Sequence, residues 1–202
     1  MSSAGAALDA LAITARLQED AGGAMVGEIH AFAYLACLVA FYDDREPEWW
    51  QYRFTATAAG APYAYALTRG LESLGAAGAV LQGDRGLVLS DRGEGQLDLL
   101  RRSNLGERDQ YLEAATATAL MMPLPTVPEA LTFEPQLKRA LQWAASTELL
   151  EPEGLDLVRR QFDAITETLT EQEVDAREDL MVPAVLWLTY LLEEQRRSSE
   201  GK

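Results

Sequence analysis

Cysteine and histidine are almost missing from this 202-residue sequence, and their scarcity excludes several classes of site. The one cysteine, Cys37, has no second thiol for an internal disulfide, and a cysteine-based zinc cluster needs several ligands. The one histidine, His30, cannot supply the Glu-x-x-His pairs of a di-metal helical bundle. We therefore expect Cys37 to be a small buried apolar side chain, and we expect neither a metal nor a bound cofactor.

The motifs of common enzyme classes are missing as well. A Ser-His-acid mechanism would have to use His30, and the sequence has no Gly-x-Ser-x-Gly elbow. It has neither a phosphate-binding loop ending in Gly-Lys-Ser nor a dinucleotide fingerprint in a strand-to-helix turn. We therefore predict a protein without enzymatic activity. A small enzyme is the third hypothesis, and it would need a polar pocket around His30.

Long apolar segments are also missing. The longest apolar run, residues 31–42, is too short to span a bilayer and is followed by two aspartates. The amino terminus lacks the basic-then-apolar layout of a secretory signal peptide. Together with the single cysteine, these observations predict a cytoplasmic protein with no membrane partner.

Positive charge is scarce, and its distribution is uneven. The net charge is −15, with −5 in residues 1–44, zero in residues 45–108 and −10 in residues 109–202. A protein that binds nucleic acid usually presents a cationic face to the phosphates. The acidic chain therefore lowers the expectation of DNA binding, although the neutral middle segment leaves room for a local arginine face.

The first half of the chain combines helical patterns with one hairpin. Residues 7–20 and 26–42 carry apolar side chains at helical spacing, and the second of these segments is apolar on most sides, which is typical of a central core helix. Alternation of apolar and polar residues over 50–57 predicts a short strand, and Pro62 is expected in the first turn of a third helix. The segments "AVLQ" and "LVLS", joined by "GDRG" within residues 79–90, predict a hairpin.

The rest of the chain reads as helices. Ser90 or Asp91 is expected to cap the helix after the hairpin, and from Gly106 onward only helices are predicted, with Pro183 kinking or splitting the last one. The element order matches a winged helix, in which the strand near residues 52–57 would pair with the hairpin as a third strand.

We therefore predict a mainly α protein with a small β-hairpin or three-stranded wing. Residues 1–105 would form a winged-helix-like domain, and residues 106–202 an acidic helical domain in the form of a bundle.

The spacing around this hairpin resembles a pattern of bacterial winged-helix families. An aromatic strand leads to a Gly-x-Pro-Tyr turn, a helix with periodic leucines, a glycine and two strands. The residues that carry the pattern are Phe54, Gly60, Ala61, Pro62, Tyr63, Leu67, Leu71, Leu74, Gly78, Val80, Leu87, Leu89, Ser90 and Gly93. This segment is similar to the winged-helix parts of small accessory subunits in three-component ABC/SMC-type ATPase systems, some of them antiphage, and to antitoxins with a related core. The resemblance covers about a fifth of the chain and implies an ATPase partner. The related condensin-like subunits carry two tandem wings, whereas this chain has one.

Two groups of residues are candidates for binding. In a winged helix the helix before the hairpin is the recognition helix, and here it exposes small and aromatic residues with one arginine, a composition typical of a protein interface. The candidate protein-docking residues are Trp49, Trp50, Tyr65, Arg69, Trp187 and Tyr190. The candidate nucleic-acid contacts are Arg69, Arg85, Arg92, Arg101 and Arg102. If these arginines line one face, a transcriptional regulator or antitoxin is favoured; if the last three pair with neighbouring carboxylates, they form an ordinary solvated helix face.

The end of the chain carries two further signals. Residues 180–192 place apolar side chains around nearly the whole helix circumference, which is typical of a buried or partner-binding helix and leaves a homodimer open. The acidic run 171–179 is either a solvated helix face or a docking strip for a basic partner. The expected function is therefore a non-enzymatic adaptor or accessory subunit of a bacterial complex, with a protein partner such as an ATPase or a basic subunit. Nucleic acid would be contacted only weakly or through the complex.

Overall fold

The computed structural model describes residues 4–172 and 179–200, and it is mainly helical with small antiparallel sheets. In the described residues the α-helices are α1 Ala4–Ala21, α2 Val26–Tyr42, α3 Tyr65–Ala76, α4 Asp91–Arg101, α5 Asp109–Met121, α6 Thr126–Leu131, α7 Pro135–Trp143, α8 Pro152–Glu171 and α9 Met181–Glu200. The strands are β1 Thr55–Ala56, β2 Pro62–Tyr63, β3 Val80–Gln82, β4 Leu87–Leu89 and β5 Thr147–Glu148. Two short 3₁₀ helices lie at Pro47–Trp50 and Gly106–Arg108.

Helix α2 is the centre of the molecule. Its side chains from Ile29 to Phe41 are all buried, as expected for a segment that is apolar on most sides. Helices α1 and α5 pack against α2 and against each other, and α9 packs on α5, α6 and α8. One continuous core therefore crosses the predicted boundary at residue 105, and whether either predicted domain folds alone stays a prediction.

The predicted hairpin is present, with Val80 of β3 opposite Leu89 of β4. Its third strand, however, is not the segment near residue 55. Ala24, between α1 and α2, exchanges two backbone hydrogen bonds with Leu87 of β4, at N···O distances of 2.9 and 2.8 Å. Gly86 makes this close approach feasible, because a Cβ there would lie 2.5 Å from the Ala24 carbonyl oxygen.

The prediction of an extended aromatic strand over residues 50–57 is wrong except at its end. Trp50 closes the first 3₁₀ helix, and Gln51 has a φ of 67°, which turns the chain before it can continue as a strand. Strand β1 pairs with β2 on one side and with β5 on the other, so the sheet order is β2-β1-β5. Pro62 therefore lies in a strand, not in a first helical turn, and β5 contradicts the expectation of helices alone after Gly106.

The capping of the next helix follows the prediction, whereas Pro183 does not kink a helix. The Ser90 hydroxyl accepts a hydrogen bond from the Gly93 N–H at 3.3 Å and caps α4. Pro183 lies in the first turn of α9, where its missing N–H has no intrahelical partner to lose. Most of the predicted acidic strip, residues 173–178, lies outside the described residues. None of the described helices combines the length and apolar character that a membrane span requires.

Candidate functional site

The single histidine holds the start of α3 in place. The Ala64 N–H donates to Nδ1 of His30 at 3.0 Å, and the Thr68 hydroxyl lies 3.4 Å from Nε2. The imidazole stacks on Tyr63, with 4.9 Å between ring centroids. Burial lowers the pKa of His30 to about 4, so the ring is neutral, and Nδ1 is the acceptor nitrogen. Both ring nitrogens therefore have structural partners, and His30 positions α3.

Helix α3 has one buried face and one open face. Leu67, Leu71 and Leu74 are buried, as their helical spacing predicts. Tyr65, at the first position of the helix, is 68% exposed. Arg69 forms an ion pair with Glu72 one turn further along the same helix. The open face thus combines a large aromatic side chain with an internally neutralised charge pair.

Three of the five arginines predicted to contact nucleic acid are paired with carboxylates. Besides Arg69, the Arg85 guanidinium lies 2.6 Å from the Glu28 carboxylate and also donates to the Gly23 carbonyl oxygen. Arg101 lies 3.1 Å from Asp109, which already pairs with Arg16 of α1. The contacts of Arg85 and Arg101 connect the hairpin to α2 and α4 to α5.

The two remaining arginines of that set are exposed: Arg92 lies on α4, and Arg102 directly follows its last residue. Arg92 and Arg101 are nine residues apart, so they point in directions about 180° apart around the helix. The first of the two alternatives, in which Arg92, Arg101 and Arg102 line one face, is therefore not what the structure shows. Arg101 pairs with Asp109 instead of the expected acids of its own helix.

Three tryptophans are predicted to dock on a partner protein. Two of them, Trp50 and Trp187, are buried in the core, so the docking prediction is wrong for these two. Trp50 is buried, and the Arg108 guanidinium lies 4.2 Å from the centre of its ring. Trp187 is also buried and donates its indole N–H to the Gln161 side chain at 2.9 Å. Trp49 is half-buried against Tyr111, with ring centroids 5.7 Å apart.

A buried ionic cluster, formed by Asp9, Tyr52 and Arg108, was not anticipated from the sequence. The Arg108 guanidinium lies 3.3 Å from the Asp9 carboxylate and donates to the Trp50 carbonyl oxygen at 2.5 Å. The Tyr52 hydroxyl donates to Asp9, also at 2.5 Å. Burial raises the pKa of Asp9 to about 6, and the charge of Arg108 opposes that shift. Asp9 and Arg108 are 99 positions apart, and no local pattern links them.

A groove runs between α8 and α9, with a volume of about 470 Å³. The residues that line it are Arg160, Gln161, Ala164, Ile165, Thr168, Leu186 and Tyr190. Leu186 and Tyr190 are 39% and 44% exposed. Tyr190 is therefore exposed and lines this groove, and its docking role stays a prediction. The apolar row of α8 on the other side of the groove was not predicted from the sequence. Its signal was the amphipathic spacing of Leu157, Ala164 and Ile165.

Within residues 4–172 and 179–200, no group of three or more His, Cys, Asp and Glu side chains is placed to hold a metal ion. No protein-family model, curated protein or solved structure matches this chain.

Proposed function

We propose that this protein is a non-enzymatic adaptor that acts in the cytoplasm by docking onto another protein within a bacterial multi-protein complex. The observation that carries the proposal is the open face of α3. Its largest exposed side chain is Tyr65, whereas Arg69 beside it is neutralised by Glu72. An exposed aromatic residue with a guanidinium is a frequent anchor in protein interfaces.

The arrangement around α3 supports a winged-helix module. Helix α1, the bridging residue Ala24, helix α2, helix α3 and the β3–β4 hairpin follow one another in the winged-helix order. Between α2 and α3 the chain inserts the 3₁₀ helix and strands β1 and β2. In this proposal α3 is the recognition helix, and it docks on protein. The resemblance to accessory subunits of ABC/SMC-type ATPase systems suggests that the partner is an ATPase.

Charge supports protein over DNA as the partner of this face. A helix that reads bases projects several arginine, lysine, asparagine or glutamine side chains into the major groove, and α3 projects Arg69 alone. Arg85, in the hairpin, is paired with Glu28 and so is drawn away from a phosphate. The net charge of −15 adds a general repulsion from a polyanion.

The test is a tagged pull-down from the native host, with and without nuclease treatment. We expect a stoichiometric protein partner that survives nuclease. Recovery of DNA alone, or loss of every partner after nuclease, would contradict the adaptor proposal. That result would favour a DNA-binding regulator or antitoxin, and Arg92 and Arg102 would then be the first residues to replace.

A further inference from the structure

A cavity lies between α7 and the segment that joins β5 to α8. Its volume is about 480 Å³, which is in the range of small-molecule sites. Gln136, Arg139 and Trp143 line it from α7, at spacings of three and four that place them on one face of the helix. Residues within 147–154 line the other side. The cavity is therefore enclosed by a helix face and by the chain that enters the next helix.

One polar side chain of the cavity is fixed in place. Gln136 is 8% exposed, and its amide oxygen accepts a hydrogen bond from the Leu150 N–H at 3.1 Å. The amide NH₂ of Gln136 donates to Glu134 at 3.4 Å; Glu134 is itself buried and does not line the cavity. Gly154 of α8 packs directly on this amide, since a Cβ there would lie 2.2 Å from the Gln136 Cδ. Hydrogen bonds and close packing therefore pre-form this part of the wall.

Three charged side chains line the cavity, and one of them is neutralised. They are Arg139, Glu148 and Glu151. The Arg53 guanidinium lies 2.6 Å from the Glu148 carboxylate. Neither Arg139 nor Glu151 forms an ion pair with a side chain that the structure describes. One unpaired cation on α7 and one unpaired anion at the start of α8 therefore line the same cavity.

The ligand that matches these two charges carries both signs. A simple cation would leave Arg139 without a partner, and a simple anion would leave Glu151 without one. A sphere of 480 Å³ is about 10 Å across, and charge-assisted hydrogen bonds at each end take up about 2.7–2.9 Å. The ligand's own charges are then about 4 Å apart or less. An α-amino acid has this short separation, because its ammonium and carboxylate groups are attached to one carbon.

The side chain of the ligand is indicated by Trp143. This residue ends α7, and it is 67% exposed. The Arg139 guanidinium lies 5.8 Å from the centre of its ring, so the cation and the aromatic surface are neighbours at the cavity. A ligand whose carboxylate binds Arg139 can therefore place a flat side chain against the indole.

We propose that this cavity binds a free aromatic α-amino acid, with its carboxylate on Arg139, its ammonium group on Glu151 and its ring against Trp143. The proposal goes beyond the docking function and does not depend on it, because no residue of α3 lines the cavity.

The test is an NMR titration of the full-length protein that follows the indole N–H signals of its four tryptophans. Trp143→Phe assigns the signal of Trp143, and the buried Trp187 serves as an internal control. The ligands are phenylalanine, phenylalaninamide, which lacks the carboxylate, and N-acetylphenylalanine, which lacks the ammonium group. We expect phenylalanine to shift the Trp143 signal and each analogue to bind at least about tenfold more weakly.

Two variants test the location, and each removes one exposed charge. Arg139→Gln should weaken phenylalanine at least about tenfold and leave phenylalaninamide unchanged. Glu151→Gln should weaken phenylalanine equally and leave N-acetylphenylalanine unchanged; Glu151 makes no side-chain capping bond to α8, so this change removes no cap. Arg102→Gln and Glu48→Gln are the matched controls at exposed positions outside the cavity, and both should bind phenylalanine like wild type.

Four results would overturn the proposal. The first is that phenylalanine, at millimolar concentration, leaves the Trp143 signal in place. The second is that either analogue binds as tightly as phenylalanine, which would identify a site for a simple cation or a simple anion. The third is that Arg139→Gln or Glu151→Gln leaves the affinity for phenylalanine unchanged. The fourth is that the control variants weaken binding as much as these two.

Discussion

Replacing Arg108 by methionine tests whether the buried ionic cluster holds the two halves of the chain together. Both charged groups are buried, at 2% side-chain exposure for Arg108 and 0% for Asp9. Removing one partner of such a pair costs about 3–5 kcal/mol, because the other charge stays buried without compensation. The variant also loses the stacking on Trp50 and leaves the Trp50 carbonyl oxygen without its donor. We expect the free energy of unfolding to fall by about 3–5 kcal/mol at pH 7.

The loss should depend on pH and on Asp9. Because the pKa of Asp9 is about 6, this carboxyl is largely protonated at pH 5, and Arg108→Met should then cost less. Asp9→Asn retains an acceptor for the Tyr52 hydroxyl and removes the charge, so it should recover part of the stability when combined with Arg108→Met.

Equilibrium denaturation followed by circular dichroism measures all of these values, with Arg102→Met as the exposed control, expected within about 0.5 kcal/mol of wild type. A loss below about 1 kcal/mol for Arg108→Met, or strict additivity of the two substitutions, would refute the reasoning.

The remaining predictions concern one histidine, one buried glutamate and one glycine. The folded-state pKa of His30 is about 4 against an ordinary 6.5, so the neutral imidazole stabilises the fold fully above pH 6.5. About 3 kcal/mol of the free energy of unfolding should be lost as the pH falls to 4. Denaturation of wild type and of His30→Gln as a function of pH measures this contribution. The pH dependence of Glu134 has the opposite sign, because burial raises the pKa of its carboxyl to about 7. The protonated form stabilises the fold fully below pH 4.5, and this stabilisation is lost as the pH rises through 7. Glu134→Gln should therefore gain stability relative to wild type between pH 5 and pH 8, and a constant difference between the two proteins would contradict this. Gly93→Ala should destabilise by about 1–3 kcal/mol, since a Cβ would lie 2.2 Å from the Ala79 carbonyl oxygen, and a thermal melt equal to that of wild type would show that α4 can shift away from the hairpin.

The local parts of the fold were predictable because their signals are local. The hairpin was found from Gly83 and Gly86 between two apolar runs, and the α4 cap from Ser90, since turn and cap chemistry depends on neighbouring residues. The central position of α2 followed from its uniform apolarity.

The failures concern residues that are far apart in the chain. β5 contains only Thr147 and Glu148, and its place beside β1 depends on pairing across about 90 residues. Period-two alternation near residues 50–57 suggested a strand, but Trp50 ends a 3₁₀ helix and its ring lies against the Arg108 guanidinium, 58 residues further along the chain. That contact has no sequence signature.

The candidate surfaces show the same division. Exposure of Tyr65 followed from its place on the polar side of an amphipathic helix. The neutralisation of Arg85 by Glu28 did not, since it depends on the hairpin lying against the start of α2. Charge counted along the sequence therefore overestimated the cationic surface available to nucleic acid.

The most direct test of protein docking by α3 is quantitative recovery of the native partner by wild type and by Tyr65→Ala/Arg69→Ala, after nuclease treatment. Both replaced side chains are exposed, so the variant should fold, and Leu99→Ala serves as a control of matched exposure on α4. We expect the double variant to lose most of the partner while the control retains it. Equal recovery by all three proteins would contradict the assignment of α3 as the docking surface.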